Sequence, residues 1–492
     1  MVAPVPGAAG ALVAYDPALL QQLHSLSGGT TKSSGNTAPG SSSVASDTAT
    51  SRAAISSPIL ASFPSLVSDL DGFTALLAET TLENQGEAYK LFSSGKVSLM
   101  PVQTVGQQPY GAVSAGPSAQ CCVKTGYVHN GDTFVIKIAA GGAVGYGNTG
   151  FLLVFSQKTM QLCKQLNDSG ILTEIRTAAA TCYASRLIWK YGAPRPEQPP
   201  ENNAQSDNQI SDITSIGILG AGVQAWWQLR FLQLITPCRN VRLWTRDAKK
   251  GKEFVENLNS SAHLPDREWD VTFCSDVGDV GQNCELIHTL TCSREELLIT
   301  KHLFSTSNSH QSRSNSRGNS PVEEQGCSEQ ELRTGGGALS AALAVEPQEA
   351  TTTVAPPPSS CKVKRQHISA VGADAPGKQE LGVDVLLSAD LLVCDSVAQS
   401  LERGEFQRLL QQSSNSRTNT LVEADRIVEI GTLAMEMEAG GEATKLSSGG
   451  TATGLTIFDT SGIAVQDVAI AEMVVKLLEK KEQMVAAKED GL

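Results

Sequence analysis

The stretch from Ser215 to Ala225 constrains the fold more than any other. The short apolar run Ile216-Gly217-Ile218-Leu219 enters the turn Gly220-Ala221-Gly222-Val223-Gln224-Ala225, and an apolar stretch from Trp227 to Leu234 follows. A buried strand, a glycine turn and a helix, in that order, open a βαβ unit. In this G-x-G-x-x-A pattern, Gly220 permits the tight turn and Gly222 lets backbone approach a pyrophosphate closely. Ala225 is small enough for the helix to pack on the strand. The free N–H groups and positive dipole end of the helix then face the phosphate charge. Gly220, Ala221, Gly222, Val223 and Gln224 are therefore expected to hold a nicotinamide dinucleotide. Such a motif alone is a weak signal, but here a strand precedes it, a helix follows, and a second strand comes at the expected distance.

From Ser215 the chain alternates short apolar runs with helical patterns. The predicted strands are Ile216–Leu219, Val241–Trp244, Val271–Cys274, Leu286–Leu290, Ile368–Val371 and Leu391–Cys394. Runs of this kind, separated by helices, point to an α/β fold with a doubly wound parallel sheet. The second strand ends Leu243-Trp244-Thr245-Arg246-Asp247. NAD sites usually carry an acid there for the ribose 2′-hydroxyl. Thr245 stands in its place and Arg246 can pair with a 2′-phosphate, so NADP(H) is favoured over NAD(H). Asp247, one or two positions late, is the alternative acid.

Upstream the pattern differs. Gln85 to Gly95 reads as an amphipathic helix, and Cys121–Lys124, Thr133–Ile138 and Phe151–Phe155 read as strands. Thr173 is the expected N-cap of a helix running to about Lys190. Arg176 then falls in its first turn, where the dipole disfavours a cation. A residue set against local preference suggests a function, and an arginine beside free helix N–H groups suits a carboxylate or phosphate. Alternation places Val135, Lys137 and Ala139 on one face of their strand. Lys137 in a partly buried cleft would lose basicity by desolvation; on an edge strand it would be a solubility device. Asp374, in Val371-Gly372-Ala373-Asp374-Ala375-Pro376-Gly377, follows a parallel strand at the end where ligands bind. It is the candidate proton acceptor, or else a turn-forming Asp before Pro-Gly. The last apolar-periodic helix is predicted from Ile463 to about Lys480.

Composition narrows the function classes. The 492 residues carry a net charge of -13, which argues against a nucleic-acid partner. Eleven cysteines with no C-x-x-C pair argue against a disulfide framework or zinc site, and for a reducing, cytoplasmic setting. No apolar run reaches the roughly 18 residues of a membrane span. Residues 27–57, 192–209, 305–360 and 440–454 are rich in Ser, Gly, Thr, Pro or Asn. Such segments bury too little apolar area to offset ordering entropy, so 27–57 and 305–360 are expected to be disordered insertions.

Together the blocks VIKIAAG, GFLLVFSQKT, GILTEIRTAAAT, IGILGAGVQA, VRLWTRD, ISAVGADAPGKQEL and LTIFDTSGIAVQDVAIAE resemble the ornithine cyclodeaminase/mu-crystallin family. The resemblance implies a Rossmann domain (210–454) inserted into a second α+β domain for substrate binding and dimerisation (11–191 plus 455–492), and a homodimer. It also implies hydride transfer between a nicotinamide and the C–N carbon of a small amino or imino acid. In one branch this cyclises ornithine to proline with loss of ammonia. In the other it reduces cyclic ketimines. By this resemblance Lys137 and Arg176 hold the substrate carboxylate, Lys137 lies near the reacting nitrogen, and Asp374 acts on the amine or a water. Thr177, Gly462 and Val465 belong at the nicotinamide end, and no metal is involved.

Two departures bear on the substrate. The family's further arginine is absent from Leu99-Met100-Pro101-Val102-Gln103-Thr104-Val105, which removes one carboxylate donor. Where ornithine users carry a glutamate for the distal amine, this chain has Val123-Lys124. Lys124 would repel a second ammonium, which favours substrates without one. A weakly catalytic, dinucleotide-dependent ligand carrier is the rival outside enzyme chemistry.

Overall fold

The Gly220 turn lies in the middle of an eight-stranded parallel sheet. In the computed structural model the described residues are 60–62, 76, 78–106, 119–141, 149–168, 170–191, 209–260, 269–304, 365–412, 418–420, 422, 426–440 and 453–489. The segments 27–57 and 305–360 lie outside them. All described residues belong to one compact unit.

The first sheet contains β1 (Leu60–Ser62), β2 (Val97–Leu99), β3 (Gln103–Val105), β4 (Gln120–Val128), β5 (Thr133–Gly141), β6 (Thr149–Ser156) and β7 (Leu162–Asn167), in the order β1-β7-β6-β5-β4-β2, with β3 also on β4. Only the β1–β7 pairing is parallel. The expected alternation is present: Lys124, Val135, Lys137, Leu152 and Val154 are buried on one face. Phe134, Ile136, Ile138, Phe151, Leu153 and Phe155 are half-buried on the other. Lys137 is on a central strand between β4 and β6, not an edge.

The second sheet has the order β10-β9-β8-β11-β13-β19-β15-β18. Its strands are β8 (Ile216–Leu219), β9 (Asn240–Trp244), β10 (Asp270–Phe273), β11 (Leu286–Thr289), β13 (Gln366–Ala370), β15 (Leu391–Cys394), β18 (Ile427–Glu429) and β19 (Leu455–Asp459). Two small pairs, β12 (Arg294–Leu298) with β14 (Gln379–Leu381) and β16 (Leu410–Gln412) with β17 (Thr418–Thr420), flank it. The six strands predicted for this sheet agree with the observed ones to within one or two residues, whereas Cys121–Lys124 and Thr133–Ile138 of the first sheet run on to Val128 and Gly141. One assignment is corrected: Leu455–Asp459, expected to open the returning substrate-domain segment, lies between β13 and β15 in the parallel sheet. Its burial, with only Thr456 less than fully covered, is that of a central parallel strand. The chain therefore leaves this sheet at residues 460–463, later than the predicted boundary.

Helix α1 (Glu79–Ser93) and α2 (Ile171–Tyr191) precede the parallel sheet, and α3 (Val223–Ile235) is the helix of the glycine turn. The sheet's other connections carry α4 (Ala248–Ser260), α5 (Val277–Asn283), α6 (Thr300–Leu303), α7 (Val383–Ser388), α8 (Val397–Arg403) and α9 (Ile430–Glu438). The last element is α10 (Ala464–Glu489), packed on β4, β5, α1 and α2. Helix α2 is covered nearly all round, as a helix at the centre of a core must be. It packs against α1, α3, α10, β13 and β19, so it bridges the two sheets. Full burial of side chains such as Tyr89, Phe231 and Phe458 contributes about 1.5–3 kcal/mol each.

A buried polar chain fixes α2 to the parallel sheet. Gln228 Oε1 meets His288 Nδ1 at 3.0 Å, His288 Nε2 meets Ser185 Oγ at 3.1 Å, and Ser185 Oγ meets Ser369 Oγ at 2.9 Å. Ser369 Oγ meets His367 Nε2 at 3.0 Å, and His367 Nδ1 meets Thr456 Oγ1 at 2.9 Å. Burial depresses both imidazoles to about 3, so they are neutral partners in the chain. Among the described residues no helix is long and apolar enough to cross a membrane.

Candidate active site

Helix α2 starts earlier than its sequence suggests. Asp168, not Thr173, accepts from the helix start, with Leu172 N donating to its Oδ2 at 2.8 Å. Thr173 is inside the helix, and its carbonyl accepts from Thr177 Oγ1 at 2.6 Å. Arg176 is consequently in the second turn, beyond the N–H groups of the helix start. Its placement has another cause: a buried carboxylate.

That carboxylate is Asp467, in the first turn of α10. Lys137 Nζ donates to Asp467 Oδ1 at 2.8 Å, and Arg176 Nε donates to the same oxygen at 3.1 Å. All three side chains are 5% exposed or less, so water does not screen the pairs. Burial pushes the Asp467 carboxyl up, but Lys137, Arg176 and Lys124 outweigh it and hold it below its ordinary range. Burial lowers Lys137; Asp467 opposes that shift without cancelling it, and Arg176 adds to it. Asp467 Oδ2, though buried, has no hydrogen-bond partner among the described residues.

Lys124 is the third cation. The β4–β5 register sets it directly opposite Lys137. Its Nζ donates to Ser461 O at 3.0 Å and Gly462 O at 2.6 Å. Burial, with the nearby charges of Lys137 and Arg176, lowers it to about 7. Two residues before it on β4, Cys122 pairs with Thr104 on β3, and their side chains touch at 3.7 Å. A hydroxyl–thiol contact stands where the further arginine was sought.

The turn after β19 shapes the same site. Gly462 has φ +78, and a Cβ there would stand 2.8 Å from an Arg176 guanidinium nitrogen. Only glycine meets both demands. Asp395 holds the turn: its Oδ2 accepts from Gly462 N at 2.7 Å and Thr460 Oγ1 at 2.9 Å. Gln466 Oε1 accepts from Ile463 N at 2.8 Å. Val465, expected beside the nicotinamide, is 1% exposed and packs in the core.

Asp374 is four residues beyond β13, at the predicted end of the sheet. It is ion-paired with Lys378, and Arg403 Nε donates to its carbonyl at 3.0 Å. Burial raises the carboxyl, but Lys378, Lys124 and Arg403 hold it below its usual range. The side chain is 48% exposed, so solvent screens part of that effect. The structure thus gathers Lys124, Lys137 and Arg176 around Asp467. Asp374 is on their border, coupled to the cluster through the charge of Lys124.

The glycine turn has the features that a pyrophosphate requires. Gly220 has φ +119, and a Cβ there would meet Leu290 O at 2.8 Å. A Cβ at Gly222 would meet nothing within 4 Å, which leaves open space above the turn. Gly222 is also the N-cap of α3 and supplies no side-chain cap; the Ala225 N–H donates to Gly222 O at 3.0 Å, and the N–H groups of Val223 and Gln224 precede it at the helix start. Gln224 Nε2 donates to Glu174 O at 3.2 Å and Trp227 Nε1 to Glu174 Oε2 at 3.0 Å, tying this helix to the one that carries Arg176. At the end of β9, Asp247 Oδ1 accepts from Lys249 N at 3.0 Å and Lys250 N at 3.3 Å, capping α4. Thr245 and Arg246 are left at the strand end, with Arg246 exposed and within 3.4 Å of Ser293 Oγ.

A doubly wound parallel sheet with this turn defines an NAD(P)-binding protein of the Rossmann class. The model of the ornithine cyclodeaminase/mu-crystallin family matches residues 209–305 and 362–482 of the chain. The chain is 27% identical over 364 residues to an uncharacterized cyclodeaminase of Sinorhizobium fredii, covering 73% of this chain and 80% of that one. Two solved structures share the fold. The iminosuccinate reductase of Paracoccus denitrificans in complex with NAD+ aligns with TM-score 0.55 and 19% identity, over 86% of this chain and 97% of that one. A dimeric archaeal alanine dehydrogenase with bound NAD aligns with TM-score 0.54 and 18% identity, again over 86% and 97%.

Asp467 escaped the sequence reading. The available signal was an acid in the first turn of an otherwise apolar helix, two residues past Val465. Asp168 and Asp395 escaped it too, since each acts on backbone N–H groups close in space.

Proposed function

We propose that this protein is a nicotinamide-dependent enzyme acting at the C–N carbon of a small α-amino or α-imino acid, as an imine reductase or amine oxidase. One observation carries the reading: Lys137 and Arg176 are buried on a shared carboxylate, and the helix that carries Arg176 is tied through Glu174 to the helix of the dinucleotide turn. A bound nicotinamide supplies the hydride donor or acceptor, and Gly220, Ala221, Gly222, Val223 and Gln224 would hold its pyrophosphate. Arg176 and Lys137 bind and orient the substrate carboxylate, exchanging part of their bonding to Asp467 for it. The lowered basicity of Lys137 suits it to give a proton to the imine nitrogen or take one from the amine. Asp374, ionised at neutral pH, accepts a proton at the open side. Thr177, next to Arg176 on α2, is the further cofactor-side candidate.

The substrate side favours imine reduction or amine oxidation over ornithine cyclisation, because Lys124 stands where a distal ammonium would have to lie. Thr245 and Arg246 favour NADP(H), since the acid that would read a 2′-hydroxyl is engaged in capping α4. Purified protein should bind NADPH more tightly than NADH, and Arg246→Ala should reduce that preference by about tenfold or more. With NADPH and a cyclic or 2-oxo-acid-derived imine, absorbance of the reduced coenzyme should fall. Release of ammonia and proline from ornithine with NAD+ would support cyclisation instead. Inertness towards every amino and imino acid, with coenzyme binding retained, would support a ligand carrier.

A homodimer completes the proposal. The outer face of the first sheet carries Phe134 stacked on Phe155 at 4.9 Å, with Ile136, Ile138, Phe151 and Leu153 in register beside them. A second copy of this chain is the partner that such a continuous apolar face fits. Sedimentation should give twice the chain mass, and Phe134→Lys should shift it towards the monomer. The nine described cysteines are all free, which suits a reducing compartment such as the cytoplasm.

A further inference from the structure

The charges inside the site do not balance. Lys137 and Arg176 share Asp467, and both ion pairs go to one of its oxygens. Lys124 has no carboxylate within ion-pair distance among the described residues. Its two described bonds go to the carbonyls of Ser461 and Gly462. A charged ammonium has three donors, so one remains for a ligand. The groups that act on it are Lys137 from β5, Arg176 from α2, Arg403 from α8 and Asp467 from α10. Asp374 and Asp395 also feel its charge. Those two acids are engaged elsewhere: Asp374 with Lys378, Asp395 with Ser396 N, Thr460 and Gly462.

Like charges directly opposite each other on neighbouring strands are destabilising. Burial makes the cost larger. A fold that keeps Lys124 opposite Lys137 at 7% and 3% exposure therefore holds an arrangement that an anion would relieve. One carboxylate is accounted for by Lys137 and Arg176. A monocarboxylate would leave Lys124 with backbone carbonyls alone.

We infer that Lys124 receives a second carboxylate, and that the substrate is a short α-amino or α-imino dicarboxylate. This rests on the reading of Lys137 and Arg176 as the site of the first carboxylate. Directly opposed residues have Cβ atoms about 4.5–5.5 Å apart, a spacing that a short diacid can bridge with one carboxylate at each lysine. The same cation excludes a distal ammonium, so one side chain both selects the diacid and rejects the diamine.

Protonation adds a signature. Lys124 titrates near neutrality, at about 7, because burial and its cationic neighbours disfavour the charge. A bound carboxylate favours the charged form, so diacid binding takes up a proton once the pH exceeds that value. Affinity for the diacid is thus highest at low pH and declines as the pH rises past about 7. A monocarboxylate held only by Lys137 and Arg176 lacks this Lys124-linked decline.

Unreactive mimics test the inference apart from turnover. With NADPH present, succinate and propionate are titrated by calorimetry between about pH 6 and pH 9. Succinate should bind at least about tenfold more tightly at the acid end, with the advantage shrinking at the alkaline end. Lys124→Met should abolish the difference, and Lys124→Arg should restore it without the loss above neutral pH. Equal affinities in the wild type would overturn the inference, as would discrimination that survives Lys124→Met. If the variants do not fold, the wild-type comparison and its pH profile decide. Failure of the function itself reads differently: no coenzyme binding, or no turnover of any imine.

Discussion

Replacing Asp467 with asparagine is expected to destabilise the protein by about 3–5 kcal/mol, the range found when one partner of a buried pair is removed. The loss should sit at the upper end, because Asp467 serves two cations and a third, Lys124, is beside them. Asparagine keeps the shape and the hydrogen-bonding oxygen, so the loss reports charge. Urea unfolding, followed by fluorescence, measures it. The deficit should shrink as the pH rises. Lys124 and Lys137 are both lowered in the folded state, while unfolded lysines keep their protons to about 10.4. The folded protein therefore sheds charge first, and stability rises with pH in that window. Small carboxylates should restabilise the variant more than the wild type. A variant with wild-type stability at neutral pH would refute the central electrostatic claim.

The opposite pattern is expected at Lys137. Lys137→Met should cut turnover by about 100- to 10,000-fold, the usual worth of a positioned acid or base. Stability should stay near that of the wild type, because the change also removes a like charge facing Lys124 and leaves Arg176 on Asp467. Coenzyme affinity should not change. Lys137→Arg should not recover the rate, since a guanidinium keeps its proton throughout the working range. Single-turnover kinetics at saturating coenzyme reads this directly. Retained turnover in Lys137→Met would remove the residue from the chemistry.

The parallel sheet was legible because its strands are covered on both faces. Ile216–Leu219 and Leu391–Cys394 are four-residue apolar runs with polar neighbours, and nothing else in solution suits such runs. The side of its strand that Lys137 takes was legible because side-chain alternation along a strand is regular. The site's anion was not. Whether an acid on an apolar helix points outwards or into a cation pair depends on what packs against it, here strands more than 300 residues earlier. Thr173 looked like a cap because caps are judged from local residue types; Asp168 won because its carboxylate reaches the N–H of Leu172 from before the turn. Strand Leu455–Asp459 was misplaced for a similar reason, since strand order is decided by partners distant in sequence. The chain from Gln228 to Thr456 links five elements, and no local pattern announces it.

The segment from Leu455 to Glu489 has a consequence for how the protein is made. Its strand completes the interior of the parallel sheet, and its helix covers the inner face of the antiparallel one and brings Asp467 to three waiting cations. A nascent chain leaving the ribosome would thus expose an open seam between β13 and β15 and an uncovered lysine pair until this segment emerges. Both halves therefore depend on this one segment to reach their native packing.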